Sequence, residues 1–279
     1  KLEIQLLDDS TDESFEIARK KVDYYHQRGI DIKQIRRPER KGFKAGALEY
    51  GLREAKGEYV AIFDADFVPF PDFLKKTIPH FLLDDKIGVV QAKWDHLNKD
   101  YSILTKMQAF ALDMHFTIEQ QGRNAAGYFI NFNGTAGVWR KATIEDAGGW
   151  KADTLTEDLD LSYRAQLKGW KFKYVENVVA PAELPTDMNA LKSQQFRWNK
   201  GGAETAKKIG LRVINAELPL RIKLHAVAHL FNTTNYIFIL ITAILSVPLL
   251  FIKNQVIDFN YFKYASIFLM GSIAIAYAY

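Results

Sequence analysis

The sequence contains no cysteine, so disulfides, thiolate metal sites and cysteine nucleophiles are excluded. It also lacks the patterns G-x-x-x-x-G-K-[ST] and G-x-G-x-x-G, which argues against a P-loop or dinucleotide-binding enzyme. Charge of one sign does not dominate, because 37 basic and 33 acidic side chains are mixed along 279 residues and leave a net charge of +4. We therefore expect no nucleic-acid partner.

Charge disappears near the C-terminus. Residues 235–252, NYIFILITAILSVPLLFI, carry no charged side chain over about the length that spans a bilayer. The tyrosines around this run favour lipid contact over a buried core helix. A second apolar run, residues 265–279, stops abruptly, and the chain opens directly on a strand pattern without a leader. We expect a piece of a longer integral membrane protein.

Basic side chains precede the first apolar run and predict its orientation. The flanking basic residues are Lys207, Lys208, Arg212, Arg221 and Lys223 before it and Lys253 and Lys263 after it. By the positive-inside tendency, the N-terminal part faces the cytoplasm. Residues 218–235 place apolar side chains near one helical face, which predicts an interfacial helix. The predicted regions are a cytoplasmic domain at 1–210, an interfacial amphipathic segment at 211–234 and a transmembrane region at 235–279.

Strand and helix patterns alternate in the charged part of the chain. The predicted strands are 4–7, 30–35, 59–64 and 87–94, and the predicted helices are 11–27, 44–55 and 72–83. Repeated βα units predict an α/β fold, a doubly wound and mainly parallel sheet with helices on both faces. Ligands of such sheets bind beyond the carboxyl ends of the strands. Asp8, Asp9, Asp64 and Asp66 lie there, and Lys44 lies at the turn into the second helix, where phosphates can bind.

Asp64 and Asp66 end an apolar run with only Ala65 between them. If the strand continued, residues i and i+2 would share a face and both carboxylates would crowd one side. Like charges that close raise each other's pKa unless a cation lies beside them. The alternative is a loop in which Asp66 caps the turn before Pro69 and Pro71.

Two later stretches also group polar side chains. Residues 154–170, TLTEDLDLSYRAQLKGW, put Thr156, Glu157 and Asp158 at a helix start, although Thr156 could simply cap that helix. Residues 193–202, SQQFRWNKGG, gather amides beside Arg197 and Trp198 on one short helix. An isolated Arg-Trp pair is usually packing, often a cation–π contact.

The chain resembles the processive inverting family-two glycosyltransferases, the cellulose synthase superfamily, in four motifs that occur in the same order. These are Asp8-Asp9, Asp64-x-Asp66, Thr156-Glu157-Asp158 and Gln194-x-x-Arg197-Trp198. The stretches GFKAGAL, VAIFDADFVP, FNGTAGVWR and GWKFKYV are most similar to the cellulose-synthase-like mannan and xyloglucan-backbone synthases of plants. The resemblance implies a GT-A-type fold for residues 1–210, without the family's first βα unit. Interfacial and transmembrane helices would follow it.

The resemblance also implies a reaction. A hexose would move from UDP-glucose or GDP-mannose to the non-reducing end of a growing β-linked polysaccharide, beside a lipid bilayer. Asp158 would be the general base, with Glu157 and Thr156 next to it, and Asp66 and Asp64 would hold Mg²⁺ or Mn²⁺. The other implied residues are Asp8, Asp9, Lys44 and Arg197 for the donor, and Gln194, Gln195, Trp198, Asn133, Gly134 and Thr135 for the acceptor.

Two alternatives remain open at this point. One is a single-transfer enzyme with a lipid acceptor, because ceramide glucosyltransferases have similar motifs. The other is a membrane scaffold or transporter subunit with a degenerate transferase domain. The second is disfavoured because every charged motif position is retained, and a binding relic would have no need of Asp158.

Overall fold

The computed structural model describes residues 1–255, with side chains as far as residue 248. The chain divides into two units, with the division after Asn232. The strands are β1 (Ile4–Leu7), β2 (Ile32–Ile35), β3 (Tyr59–Ile62), β4 (Ile87–His96), β5 (Gly137–Arg140) and β6 (Lys171–Ala182). The helices are α1 (Ser14–His26), α2 (Phe43–Glu54), α3 (Phe73–Thr77), α4 (Pro79–Leu83), α5 (Ile103–Met114), a π-helix (His115–Gln120), α6 (Gln121–Ala126), α7 (Lys141–Asp146), α8 (Glu157–Leu167), α9 (Met188–Asn215), α10 (Leu220–Leu230), a 3₁₀ turn (Asn232–Thr234) and α11 (Asn235–Gln255).

The strands form two sheets. β1 and β2 pair in parallel, and the other sheet has the order β3-β5-β4-β6. β5 runs antiparallel to both of its neighbours, whereas β4 and β6 are parallel. The predicted α/β class is therefore confirmed, but the sheet is mixed and not mainly parallel. The sequence pattern could not reveal this, because a short apolar strand has the same composition in either direction.

The reversed direction of β5 decides where its preceding loop lies. Gly137, the first residue of β5, pairs with Ile62 at the end of β3 and with Gln91 of β4. The loop 131–136 therefore reaches the edge at which β3 ends. This brings Asn133, Gly134 and Thr135 close to Asp64.

Helices cover both faces of the four-stranded sheet, as predicted. Neighbouring residues of a strand point to opposite faces, and Val89 and Val90 belong to different core clusters. The Val89 cluster includes Ile144 of α7 and Leu161 of α8. The Val90 cluster includes Phe73 of α3 and Phe81 of α4.

Most predicted elements agree with the structure to within a few residues, with three exceptions. The short helix predicted at residues 193–202 is the middle part of α9, which has 28 residues. The predicted helix at 72–83 is two short helices, because Pro79 begins α4 and has no N–H to continue α3. The strand before Asp64 ends at Ile62, and Phe67 N donates to Asp64 O in a turn. Asp64 and Asp66 therefore lie in a turn, and the strand alternation does not reach them.

A buried ion-pair network joins α8 to α9. Asp160 is fully buried and pairs with Arg164 and with Lys208 of α9, each at 2.8 Å. Arg164 also donates to the carbonyl oxygens of Ala147 and Gly149. Since removing one partner of a buried pair leaves an uncompensated charge, this network fixes α8 and α9 relative to each other.

The predicted membrane segments have a mixed outcome. Ile222, Ala226 and Leu230 of α10 pack in a cluster with Ile209 and Val213 of α9, so part of the apolar face predicted for an interfacial helix contacts protein. In residues 1–255 no single helix meets the length and apolarity criteria for a span, but α10 taken together with Asn232–Pro248 does, by length and composition alone. The predicted apolar run at 265–279 lies outside the described residues.

Candidate active site

Lys44 lies in the first turn of α2, at the end of a sharply bent loop. Gly42 and Phe43 both have positive φ, 76° and 46°. Arg37 supports the bend by donating to the carbonyl oxygens of Lys41 and Phe43, and it pairs with Asp9 after β1. The position of Lys44 therefore depends on an ion pair that local sequence patterns did not predict.

Asp8 and Asp9 are both engaged by neighbouring side chains. Asp8 accepts from Ser10 and from Gln34, and Asp9 accepts from Arg37. Burial opposes ionisation of Asp8, but the bonds from Ser10 and Gln34 hold its pKa below the usual value. The bond from Arg37, against a smaller effect of burial, lowers the pKa of Asp9. Both carboxylates are thus anionic acceptors at the carboxyl end of β1.

Lys44 connects the Asp64 turn to the loop before β5. Its Nζ donates to Asp64 Oδ1 at 2.5 Å and to Gly134 O at 3.0 Å. Thr135 adds a second connection, because Asp64 N donates to Thr135 Oγ1 at 2.9 Å. Three separately predicted motifs therefore meet at one ammonium group.

Asp158 also lies next to Gly134. Gly134 has φ +80°, and a Cβ added there would lie 3.1 Å from Asp158 Oδ2 and 3.6 Å from Lys44 Nζ. A glycine thus lets the loop approach both groups closely. Burial, and then the neighbouring Glu157 carboxylate, raise the pKa of Asp158 to about 7, against the opposing effect of Lys44.

Two further carboxyl groups are shifted in the same direction. Burial raises the pKa of Glu157, with Asp64 contributing, while Lys44 and Arg197 oppose the shift. Burial also raises the pKa of Asp66, with contributions from Asp64 and from Glu183, which the sequence analysis did not identify. Asp66 and Glu157 therefore both lie within electrostatic range of Lys44.

Thr156 is the N-cap residue of α8, but among residues 1–255 its hydroxyl accepts no hydrogen bond from the backbone of that helix. Its Oγ1 lies 3.2 Å from Thr205 Oγ1 of α9, and no backbone N–H of the first turn bonds it. Gly201 of α9 packs directly on it, since a Cβ there would lie 2.6 Å from Thr156 Cγ2. The alternative of a simple helix cap is therefore wrong, and α9 holds the start of α8.

Of the predicted acceptor residues on α9, Trp198 is more exposed to solvent than Asp158 is. Trp198 is 37% exposed, and its ring lies 6.4 Å from that of Trp94, centroid to centroid. Arg197 contributes to the electrostatics of Glu157, whereas the cation–π contact of this stretch joins Lys200 to Phe196. Gln194 and Gln195 are half-buried on the same helix. Arg197 therefore lies within electrostatic range of Glu157, so the fourth motif is near the site.

The candidate ligands for a cation are Asp64 and Asp66. In residues 1–255 no group of three or more His, Asp or Glu side chains is arranged to hold a metal ion. The two carboxylates offer hard oxygen ligands, which suit Mg²⁺ or Mn²⁺ when substrate phosphates complete the shell. The residues therefore fit a cation that arrives with a diphosphate.

The sequence is similar to those of known glycosyltransferases. Residues 4–201 match the family described as Glycosyltransferase like family 2. The chain is 43% identical over 236 residues to glucomannan 4-beta-mannosyltransferase 1 of Oryza sativa subsp. japonica, covering 83% of this chain and 45% of the relative. It is 44% identical over 218 residues to glucomannan 4-beta-mannosyltransferase 7 of Arabidopsis thaliana, covering 77% of this chain and 39% of the relative.

Solved structures share the fold. The mannosyltransferase PcManGT from Pyrobaculum calidifontis, in complex with GDP-Man and Mn²⁺, superposes with a TM-score of 0.64 at 20% identity, covering 84% of this chain and 64% of that one. S. aureus TarS 1-349 superposes with a TM-score of 0.55 at 16% identity, covering 83% of this chain and 62% of that one.

The fold and the site thus define a GT-A-like glycosyltransferase domain. The chain belongs to glycosyltransferase-like family 2, and the curated relatives named above are hexosyltransferases. It spans less than half the length of those relatives. The resemblance to the cellulose-synthase-like mannan synthases is confirmed at the level of the family.

Asp158→Asn should stabilise the protein, and more at high pH. The raised pKa means that the folded state binds the proton more tightly than the unfolded state does. Ionisation of Asp158 therefore costs stability progressively as pH rises from the unfolded pKa to about 7, and the full cost remains above that value. By the scale of about 1.4 kcal/mol per pKa unit, this cost is on the order of a few kcal/mol.

Thermal unfolding of the purified full-length protein at pH 5 and pH 8 measures the effect. The gain in Asp158→Asn should be larger at pH 8. Asp146→Asn is the matched control, because the bonds from Lys168 and Trp170 lower the pKa of that exposed carboxyl. It should not stabilise at either pH, and equal gains for both variants would contradict the assignment.

Proposed function

We propose that this chain is the catalytic domain of a membrane-bound inverting glycosyltransferase that extends a β-linked polysaccharide with mannosyl units. The single observation that carries the proposal is the position of Asp158, a buried carboxylate beside Gly134 and within range of Lys44 and Glu157. The relatives named glucomannan 4-beta-mannosyltransferase support the transferred sugar and the polymer.

Asp158 is the general base of the proposed mechanism. It takes the proton from an acceptor hydroxyl while that oxygen attacks the anomeric carbon of the donor. The bond from this carbon to the nucleotide diphosphate breaks on the opposite face, so an α-linked donor gives a β-linked product. A pKa near 7 suits a base at neutral pH, because much of the group is ionised and still basic.

The donor is a nucleotide sugar. GDP-mannose is favoured over UDP-glucose, since PcManGT was solved with GDP-Man and the curated relatives are named mannosyltransferases. Lys44 and Arg197 would contact the diphosphate, and Asp8 or Asp9 would accept hydrogen bonds from the nucleoside. Thr156 and Glu157 would support the base from the start of α8.

Asp66 and Asp64 would hold Mg²⁺ or Mn²⁺ together with the donor. Bound there, the cation would neutralise charge that develops on the diphosphate leaving group. The Mn²⁺ of PcManGT supports this proposal. Lys44 already bonds Asp64, so protein and cation would share that carboxylate.

The acceptor would lie between α9 and the loop before β5. Trp198 would stack on the terminal sugar, because its ring is partly exposed and apolar sugar faces pack on aromatic rings. Gln194, Gln195, Asn133, Gly134 and Thr135 would line the same space. The catalytic domain would face the cytoplasm, with the bilayer adjoining the C-terminal helices.

Labelled donors incubated with the full-length protein in membranes test the function. We expect GDP-mannose to give a high-mass product that a β-1,4-mannanase degrades. Asp158→Asn should lower turnover roughly 10² to 10⁴-fold with little change in donor affinity, because it removes only the base. A single sugar on an extractable lipid would instead support the lipid-acceptor alternative and reject the polymer.

Asp66→Ala tests the cation. Donor nucleotide binding by the wild-type protein should strengthen on adding Mn²⁺, and the variant should lose that dependence together with transfer, because one of two carboxylate ligands is gone. Asp72→Ala, an exposed carboxylate paired with Lys76, is the matched control and should behave as wild type. Full wild-type activity in excess chelator would contradict the proposal.

A further inference from the structure

A π-helix lies beside the predicted acceptor loop. It covers His115–Gln120, between α5 and α6. Such segments are rare and are frequently found at functional sites. Its first and last residues both reach the loop: His115 Nε2 lies 3.3 Å from Asn133 Oδ1, and Gln120 Nε2 donates to Asn131 O at 2.9 Å. The loop is thus held from one side by this segment.

Glu119 fixes the ring of His115. Its Oε2 lies 3.1 Å from His115 Nδ1 and also accepts from Arg123 at 3.1 Å. The bond to His115, opposed by burial and assisted by Arg123, keeps the pKa of Glu119 below its usual value. Because an anionic carboxylate only accepts, His115 Nδ1 carries a proton and Nε2 faces Asn133.

Two polar atoms of Asn133 are hydrogen-bonded, and a third is not. Its Oδ1 also accepts from Asn131 Nδ2 at 2.7 Å, and its backbone N donates to Gln91 Oε1 at 3.0 Å. Its Nδ2 is buried and, among the described residues, has no hydrogen-bond partner. Buried donors are normally satisfied, so this NH₂ group is available to a ligand oxygen.

We propose that Glu119 and His115 position Asn133 so that its amide NH₂ donates to a hydroxyl of the acceptor sugar. His115 is a positioning residue, since it acts through Asn133 and does not itself touch the sugar. His115 Nε2 lies 3.3 Å from Asn133 Oδ1, and this contact fixes the orientation of the amide. Without that contact the amide is free to turn and withdraw its NH₂ group.

The inference rests on the proposed function, and it concerns acceptor affinity alone. The residues proposed for the donor and the base make other contacts: Lys44 bonds Asp64, and Asp158 lies beside Gly134. Loss of the His115 bond should therefore weaken acceptor binding and leave the chemical step intact. A split between the acceptor KM and kcat is the expected signature.

His115→Phe in the full-length protein tests the inference. The phenyl ring retains an aromatic ring beside Phe116, whose centroid lies 5.1 Å from that of His115, but it cannot bond Asn133 or Glu119. With GDP-mannose and a β-1,4-manno-oligosaccharide, the acceptor KM should rise about tenfold, while kcat and the donor KM stay within about twofold. His80→Phe, a half-buried histidine on α4, is the matched control and should change none of these constants.

A double-mutant cycle separates positioning from general damage. If His115 acts through Asn133, the acceptor KM of His115→Phe combined with Asn133→Ala should equal that of Asn133→Ala alone. If the double variant raised the acceptor KM by the product of the two single effects, the inference would be overturned. An unchanged acceptor KM in His115→Phe would also overturn it. A joint fall in kcat and in affinity for both substrates would indicate a structural role and overturn it too.

The same assay distinguishes the two proposals. A wild-type protein that transfers sugar, with His115→Phe indistinguishable from it, refutes only the role of His115. A wild-type protein that transfers no sugar to the oligosaccharide from any nucleotide sugar refutes the proposed function, and the role of His115 falls with it.

Discussion

The ammonium group of Lys44 is the interaction on which the rest of the site depends. It bonds Asp64 and the carbonyl oxygen of Gly134, and its charge opposes the rise that burial causes in the pKa values of Asp66, Glu157 and Asp158. Carboxylates this close would otherwise repel one another and take up protons. One cation therefore lets several carboxylates share a site before any substrate arrives.

The fold delivers Lys44 and its partners from distant parts of the chain. Arg37 and Asp9 fix the bend that starts α2, and antiparallel β5 turns the loop with Gly134 toward the end of β3. The start of α8 is held by α9, through contacts of Thr156 with Gly201 and Thr205. Lys44, Gly134 and Thr156 thus each depend on contacts outside their own elements.

Much of this arrangement was predictable from the sequence, because the motifs are local. Asp64, Gly134 and Asp158, which the sequence analysis singled out from three separate stretches, lie close to Lys44 or to one another. The direction of β5 was not predictable, since its four apolar and basic residues fit either orientation. The roles of Arg37 and Gln91 were also missed, because each acts on a residue 28 or 42 positions away and leaves no periodic signal.

The pH dependence of kcat/KM in the wild-type protein and in Lys44→Met tests the central claim most directly. This constant reports the pKa of the essential base in the free enzyme. In the wild type it should rise with pH to a plateau, with a midpoint near the Asp158 pKa of about 7. Removing the cation should raise that pKa, so the midpoint of Lys44→Met should lie at higher pH, whatever its loss in amplitude. An unchanged midpoint in Lys44→Met would contradict the account.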